Sequence, residues 1–317
     1  MQLPYYTADD IRAALPMTHA IEVMRQAFVA LHAGQVTMPV RLGMPTPDGL
    51  SLFMPAYIAA GPELRAALGQ KVVHVFTGNS ARGLPTIHAL VTLFQAETGQ
   101  PRALLEGTFL TALRTGAVTG LATQLLANPN AHNLAIFGAG GQSALQIEAV
   151  CAVREIREVR IVSRGPGAAT LAKQLQSRDQ TRAYVSATGL GEQTAQWADV
   201  IVTSTTSSEP VLFGNWLKPG THINAIGAYT PRMREVDSNV LNRAQVFVDN
   251  RDAALHEAGD LLIPIAAGEW HANKIIADLG ELASGARSVA YDPTRITFFK
   301  SNGLAVEDIA AASAVVG

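Results

Sequence analysis

The first hundred residues combine two predicted helices with several strand-like segments. Residues 7–10 resemble a capping box that opens a short helix, which Pro16 interrupts. Apolar side chains recur at helical spacing from Ile21 to Leu31, and Gly34 ends this helix. Four apolar segments follow and predict strands at residues 40–44, 50–54, 66–76 and 87–95. Because turn-forming residues separate these segments, we expect antiparallel strands backed by helices.

From about residue 108 the pattern changes. A helix rich in Ala, Gly and Thr is predicted over residues 108–127. Apolar segments then alternate with helical ones, and they predict strands at residues 134–137, 159–162, 199–203, 222–226 and 245–248. This alternation is typical of an α/β fold with a parallel, doubly wound sheet. Residues 296–304 indicate a further strand, followed by a helix that returns to the first domain.

A glycine motif stands between a predicted strand and a predicted helix. Residues 138–143 have the sequence Gly-Ala-Gly-Gly-Gln-Ser. In this context Gly138 permits a tight turn, Gly140 lets the backbone approach a pyrophosphate, and the small Ser143 lets the helix pack close to the strand. The N–H groups at the start of the helix then face the phosphates. The glycines alone are weak evidence, but the strand, turn and helix together predict a dinucleotide site.

The end of the next predicted strand indicates which dinucleotide binds. Enzymes that use NAD keep an Asp or Glu there for the ribose hydroxyls. Here the position holds Ser163 followed by Arg164. A hydroxyl beside a forked, permanently charged guanidinium favours a 2′-phosphate instead. We therefore predict NADP(H) as the preferred cofactor, with NAD(H) possible; the alternative is that Arg164 is one more solvated surface charge.

Composition and charge narrow the class of partner. The chain of 317 residues is 48% hydrophobic and 16% charged, which is ordinary for a globular protein of about two domains. The formal net charge is −2 and no basic run occurs, so we expect neither nucleic acid nor a membrane as a partner. The single cysteine, Cys151, excludes an internal disulfide and a cysteine-rich metal site. Since no signal peptide, transit peptide or membrane-length apolar run is evident, we expect a cytoplasmic protein.

Three cationic side chains are candidates for substrate binding. Lys71 lies in a strand that is otherwise almost without charge, Arg114 lies in the helix of small residues, and Arg41 begins a strand. A buried cation needs a partner, and a bound carboxylate is a natural one. The alternatives are that Lys71 is an edge lysine reaching water and that Arg114 closes a structural ion pair. Beside a nicotinamide, the three cations would bind a small carboxylate substrate; no metal-binding motif is present.

Several segments together resemble the ornithine cyclodeaminase/mu-crystallin family. In chain order they are Met54-Pro-Ala-Tyr57, Lys71 in its strand, and residues 105–117, 138–142, 224–227 and 297–305. The resemblance implies a Rossmann NAD(P)-binding domain over residues 116–294. It also implies a substrate-binding domain formed by residues 1–115 and 295–317, whose sheet pairs with its copy in a homodimer.

The resemblance assigns roles to the candidate residues as well. The residues matching Arg41, Lys71 and Arg114 hold the substrate carboxylate near the nicotinamide in that family, and the glycine loop holds the pyrophosphate. Together with Gly138 and Gly140, the predicted cofactor-binding residues are Gly141, Gln142, Ser163, Arg164, Thr115, Thr203 and Gly227.

One position departs from the ornithine cyclodeaminases. Those enzymes keep an Asp shortly after the segment matching residues 224–227 for their amine and water chemistry, and this chain has Tyr229 there. Without the carboxylate, loss of ammonia from ornithine lacks its base. Mu-crystallin and the bacterial ketimine reductases also lack it. Tyr229 is therefore a candidate for assisting proton transfer, or else a wall of the pocket.

We expect an NAD(P)H-dependent reductase of cyclic ketimine carboxylates. The substrates would be Δ1-pyrroline-2-carboxylate, giving L-proline, and Δ1-piperideine-2-carboxylate, giving L-pipecolate. One alternative is an ornithine cyclodeaminase or amino-acid dehydrogenase of the same family. Another is a non-catalytic, NADPH-dependent binder of a small ligand.

Overall fold

The computed structural model describes residues 3–62, 64–177 and 181–317, and the chain folds into two units. One unit comprises the described residues up to Arg114 together with Leu304–Gly317, and the other comprises Thr115–Gly303. No helix within the described ranges combines the length and the apolar character needed to cross a membrane.

The strands, in chain order, are β1 (Tyr5–Tyr6), β2 (Val36–Thr37), β3 (Leu42–Thr46), β4 (Gly49–Ile58), β5 (Ala67–Val75), β6 (Ile87–Phe94), β7 (Pro101–Glu106), β8 (Asn133–Phe137), β9 (Glu158–Val162), β10 (Tyr184–Thr188), β11 (Val200–Thr203), β12 (His222–Ala225), β13 (Gln245–Val248), β14 (Ile275–Asp278) and β15 (Thr297–Lys300). The α-helices are α1 (Ala8–Ala14), α2 (Met17–His32), α3 (Gly107–Leu126), α4 (Ser143–Val153), α5 (Gly167–Ser177), α6 (Gly191–Trp197), α7 (Ser238–Arg243), α8 (Arg251–Glu257), α9 (Gly259–Ala266), α10 (Leu279–Ala283) and α11 (Ala305–Val316). Short 3₁₀ helices occupy Thr77–Arg82, Gly214–Trp216 and Ala272–Lys274.

The first unit is a largely antiparallel sheet with helices on one face. Its strands follow the order β1-β7-β6-β5-β4-β2, and β3 also pairs with β4. Along β5 the residues at alternate positions from Ala67 to Val73 are buried, as expected for a sheet covered on one face. Helix α11 packs against α2, β4, β5 and β6, so the last helix of the chain covers the core of this sheet.

The second unit is a parallel sheet of the doubly wound type. Its strand order is β10-β9-β8-β11-β12-β15-β13-β14, and every neighbouring pair is parallel. The central strands are buried along their whole length, because helices cover both faces of such a sheet. From β8 the chain continues outward through β9 and β10, and it then returns to β11 on the other side of β8. The order therefore reverses between β8 and β11, where ligands bind outside the carboxyl ends of the strands.

The mixed α/β class with a doubly wound parallel sheet is confirmed, but three details differ from the sequence prediction. Strand β15 lies between β12 and β13 in the second sheet, whereas residues 295–303 were predicted to belong to the first domain. Its four residues are all buried, which suits the interior of a parallel sheet. The predicted strand at residues 40–44 begins later, at Leu42, so that Arg41 precedes β3. Strands β1, β2, β7, β10 and β14 were not predicted.

Candidate functional site

Lys71 and Arg114 lie in one buried charge cluster of the first unit. Lys71 points from β5 to the covered face of the sheet, is 1% exposed, and places its Nζ 2.7 Å from Oδ2 of Asp308. Arg114, in α3, donates from Nε to Oδ1 of Asp308 at 2.9 Å and from Nη1 to Oε2 of Glu307 at 2.5 Å. Asp308 therefore bridges the two cations.

Burial and neighbouring charges change the proton affinity of both cations. The pKa of Lys71 is lowered to about 8, because burial and the charges of Arg114 and Arg41 together outweigh the opposing effect of Asp308. The pKa of Arg114 is raised, because Asp308 and Glu307 outweigh the effect of its burial. Lys71 is therefore a cation that titrates close to neutral pH, whereas Arg114 remains charged.

The structure brings the three predicted cations together. Arg41 is half-buried just before β3, and its charge acts on Lys71. The alternative of an edge lysine that reaches water is wrong for Lys71, because β5 lies between β4 and β6 and the side chain is covered. The structural ion pair considered for Arg114 is present. Its role in substrate binding stays a proposal.

Sequence reasoning missed Glu307 and Asp308. Both are fully buried in the first turn of α11, in an otherwise apolar, alanine-rich segment. The same signal that singled out Lys71, a charge in apolar surroundings, was available for these two acids. Negative charge is also favourable at a helix N-terminus, and Glu307 accepts a hydrogen bond from the N–H of Leu304 at 2.9 Å.

The glycine loop of the second unit has the geometry of a phosphate-binding turn. Gly138 directly follows β8 with φ of +118°, and a Cβ there would lie 2.4 Å from the carbonyl oxygen of Ser204, so only glycine fits. No atom lies within 4 Å of a Cβ built on Gly140 or Gly141, so the backbone there borders open space. Helix α4 then begins at the buried Ser143, with its N-terminus at the end of the loop. These residues fit the pyrophosphate of a dinucleotide.

A cleft of about 900 Å³ lies at the carboxyl ends of β8, β9 and β11. Its volume suits a nucleotide-sized ligand. Among its lining residues are Gly138, Gly140, Ser163 and Arg164, which places the predicted pyrophosphate and ribose contacts in one cavity. Arg164 is exposed at the end of β9, so it borders both the cleft and solvent.

The remaining predicted residues do not line this cleft. Gly141 and Gln142 belong to the glycine loop, Thr115 is buried in α3, and Tyr229 is half-buried after β12. The hydroxyl of Thr203 is fully buried and donates to Oε2 of Glu235 at 3.0 Å. The N–H of Gly227 donates to the same oxygen at 2.7 Å. Both groups therefore serve a buried carboxylate that sequence reasoning did not identify.

Comparisons with known proteins agree on one family. The model of the ornithine cyclodeaminase/mu-crystallin family matches residues 5–317. A Δ1-pyrroline-2-carboxylate reductase of Bacillus cereus is 39% identical over 96% of this chain and 93% of its own length. The ketimine reductase mu-crystallin of Mus musculus is 37% identical over 97% of this chain and 93% of its own.

A solved structure gives the same result. The Δ1-pyrroline-2-carboxylate reductase of Thermococcus litoralis, in complex with NADH and L-proline, superposes with a TM-score of 0.94 at 33% identity. The superposition covers 99% of this chain and 96% of that chain.

Proposed function

This chain belongs to the ornithine cyclodeaminase/mu-crystallin family, and we propose that it reduces cyclic ketimine carboxylates with NADPH in preference to NADH. The substrates are Δ1-pyrroline-2-carboxylate and Δ1-piperideine-2-carboxylate, and the products are L-proline and L-pipecolate. The predicted enzyme class, a nicotinamide-dependent oxidoreductase acting on C=N bonds, is confirmed by the full-length relatives with reductase names.

The buried cluster around Lys71 carries the proposal. Lys71 and Arg114 are buried and pair with Asp308 and Glu307, and the half-buried Arg41 adds its positive charge beside them. Away from bulk water the attraction between such cations and an anion is strong. We propose that the carboxylate of a small imino acid is the anion that they bind.

The chain contributes orientation and charge to the reaction. When bound, NADPH supplies the hydride that adds to the imine carbon. Lys71, Arg114 and Arg41 hold the carboxylate attached to that carbon, which fixes the face of the C=N bond presented for reduction. The ring nitrogen enters as the protonated iminium, so that hydride addition gives the neutral amine and charge is balanced. Tyr229 is our proposed wall of the pocket and a second source of a proton.

The proposed preference for NADPH is supported by two residues that follow β9. Ser163 and Arg164 both line the cleft and follow the strand at which NAD enzymes present a carboxylate to the ribose. An arginine at this position offers a bidentate, charge-assisted contact to a 2′-phosphate. The other cofactor contacts we propose are the glycine loop with Gly141 and Gln142, and the backbone near Gly227.

We also propose a homodimer formed through the first sheet. On the face of that sheet opposite α11, apolar side chains form two rows across β4, β5 and β6. The rows are Phe53, Val72 and Leu90, and Tyr57, Leu68 and Phe94. None of the six is buried, with Tyr57 37% and Leu90 38% exposed. A second copy of the chain is the partner that the family resemblance implies for this surface.

The deciding experiment is oxidation of NADPH by the purified protein with Δ1-pyrroline-2-carboxylate, repeated with Δ1-piperideine-2-carboxylate and with NADH. Turnover that is faster with NADPH supports both the substrate class and the role of Arg164. Release of ammonia from L-ornithine with NAD⁺, with no imine reduction, would instead identify a cyclodeaminase. Imine binding that requires NADPH but gives no turnover would identify a non-catalytic binder.

A further inference from the structure

A carboxylate with no solvent exposure lies under the carboxyl ends of β11 and β12. Glu235 is 0% exposed and accepts five hydrogen bonds. Its Oε1 accepts from the N–H and the hydroxyl of Thr205, at 2.6 and 2.8 Å. Its Oε2 accepts from the hydroxyl of Thr203 and from the N–H groups of Gly227 and Ala228, at 3.0, 2.7 and 3.2 Å.

Two further buried charges hold Glu235 in place. Asp260 accepts from the N–H of Glu235 at 2.6 Å, and it forms an ion pair with Lys300, with 3.2 Å between Oδ2 and Nζ. Nζ of Lys300 also donates to the carbonyl oxygen of Ala225, the last residue of β12, at 3.2 Å. Asp260 and Lys300 are both 0% exposed. The network therefore joins the ends of β11, β12 and β15.

The two loops that this network joins are tightly fitted. A Cβ on Gly227 would lie 2.2 Å from the carbonyl oxygen of Thr205 and 2.5 Å from Oε1 of Glu235. Glycine at this position therefore brings the loop after β12 against the loop after β11. The pKa of Glu235 is raised, because burial and the nearby Asp260 outweigh Lys300 and the donors of Thr205. Three of its five donors are backbone N–H groups, which cannot accept a proton, so the carboxyl oxygens that face them act as acceptors.

The position of these loops in the sheet suggests what they serve. The pyrophosphate loop ends β8, and the proposed ribose contacts, Ser163 and Arg164, end β9 on one side of it. The other half of a dinucleotide then extends to the opposite side, over the ends of β11 and β12. Thr205 lines the cleft there.

We propose that Glu235 is a positioning residue for the nicotinamide half of the cofactor. It acts through the backbone of Thr205, Gly227 and Ala228, and Asp260, itself paired with Lys300, holds the backbone N–H of Glu235. The inference rests on the proposed dinucleotide site, and it adds a residue that touches neither cofactor nor substrate. An electrostatic network that fixes a loop before binding reduces the conformational entropy that the protein loses when the ligand binds.

Glu235→Gln tests this assignment. The variant keeps the size of the side chain, but it replaces one oxygen by an NH₂ group that faces backbone N–H donors. We expect the Kd for NADPH to rise about tenfold, the effect of one lost charge-assisted contact. The Kd for adenosine 2′,5′-bisphosphate, the adenosine half alone, should stay within about twofold, because its contacts at β8 and β9 do not involve Glu235.

Asp199→Asn is the matched control. Asp199 also accepts from two backbone N–H groups, those of His132 and Asn133, and pairs with Lys218, but it lies at the opposite, amino-terminal edge of the same sheet. If Glu235→Gln acted only by destabilising the fold, the Kd for NADPH and the Kd for adenosine 2′,5′-bisphosphate would change by the same factor, in this variant as in Asp199→Asn. A parallel change in Glu235→Gln, or an unchanged Kd for NADPH, would overturn the proposal.

A milder variant covers the case in which Glu235→Gln does not fold. Thr203→Val removes one buried hydroxyl from Glu235 at almost constant volume, and we expect the same selective loss of NADPH affinity, smaller in size. An unchanged ratio of the two affinities in Thr203→Val would count against the proposal. Both measurements are of binding alone, with NADH and ADP as a second pair of probes. They therefore remain informative if the protein reduces no ketimine.

Discussion

Lys71 is held between charges of opposite sign, and its protonation should govern substrate binding. Its pKa is lowered to about 8, so the ammonium loses its charge as the pH rises through that value. We expect kcat/KM for the imino acid to fall above about pH 8, because kcat/KM reports the ionisation of the unliganded enzyme. In Lys71→Arg the cation stays charged and this fall should be absent. The measurement is kcat/KM against pH for both proteins with the same substrate, so that ionisation of the substrate cancels in their ratio.

Asp308 should set the pH at which kcat/KM begins to fall. Asp308 raises the pKa of Lys71 by its charge and hydrogen bond, against the opposing charges of Arg114 and Arg41. Asp308→Asn removes the negative charge that raises the pKa of Lys71, so the fall in kcat/KM should move to lower pH. Glu307→Gln is the control on the adjacent residue, since the ion pair of Glu307 is with Arg114, whereas that of Lys71 is with Asp308. If the fall in kcat/KM moved by the same amount on the pH scale in both variants, the assignment of Asp308 as the partner of Lys71 would be contradicted.

Arg164 should determine the choice between the two nicotinamide cofactors. In Arg164→Asp, the carboxylate favours the ribose hydroxyls of NADH and repels the 2′-phosphate of NADPH. We expect the ratio of kcat/KM for NADPH over NADH to fall by about tenfold or more, as for a lost hydrogen bond between charged groups. Arg157→Asp is the control, because Arg157 is an exposed arginine just before β9, away from the lining of the cleft. A ratio that stays unchanged in Arg164→Asp would make this residue an ordinary surface charge.

At the scale of single residues, the sequence identified the cations of the site better than the acids that pair with them. Lys71 and Arg114 were recognisable because charges are rare in apolar segments. Asp308 was not recognised, because its contact with Arg114 spans 194 positions and depends on how α11 packs on the sheet. Glu235 lies in no local pattern at all; only the tertiary fold brings its five donors together.

At the scale of elements, α11 depends on a close approach to β5 that Gly69 permits. A Cβ on Gly69 would lie 2.4 Å from the carbonyl oxygen of Thr92 and 2.9 Å from Cδ1 of Ile309 in α11. Gly69→Ala should therefore lower the free energy of unfolding by about 1–3 kcal/mol, the usual cost of overpacking. Urea denaturation measures it. Gly43→Ala in β3 is the control, since its Cβ would meet only side-chain atoms, at 3.6 and 3.7 Å, and should change stability by no more than about 0.5 kcal/mol.

Periodicity predicted elements well where they were long or strongly apolar. It located β8, β11, β12 and β13 to within a residue or two, because these strands are buried on both faces. It did not find β10, where Tyr184 is exposed and the sequence carries little apolar character. It recognised β15 but assigned it to the first domain, whereas the strand lies in the sheet of the second unit, since a four-residue apolar segment does not specify its neighbours.

At the scale of the whole molecule, the apolar rows on the first sheet should mediate self-association. Leu90→Arg places a charge in the row with Phe53 and Val72, and we expect it to weaken the dimer because a charge buried in an interface needs a partner. Light scattering coupled to gel filtration measures the mass of the assembly. Tyr184→Arg is the control, because Tyr184 is an exposed large apolar residue on an edge strand of the other sheet, 63% exposed against 38% for Leu90. A monomeric parent protein, or equal dissociation of both variants, would contradict the proposed interface.

The long separation between Arg114 and Asp308 also has a consequence for synthesis on the ribosome. The two residues are 194 positions apart, and translation of that length takes roughly 10 to 40 s at the usual rates of elongation. Throughout that time Lys71 and Arg114 are without the acids of α11, and burying them is unfavourable. The part of the first unit that precedes Arg114 therefore waits for α11 before its charge cluster can close. Because β15 ends at Lys300 and α11 begins at Ala305, the strand that completes the parallel sheet and the helix that completes the first unit are synthesised almost together. Neither unit can be completed long before the other.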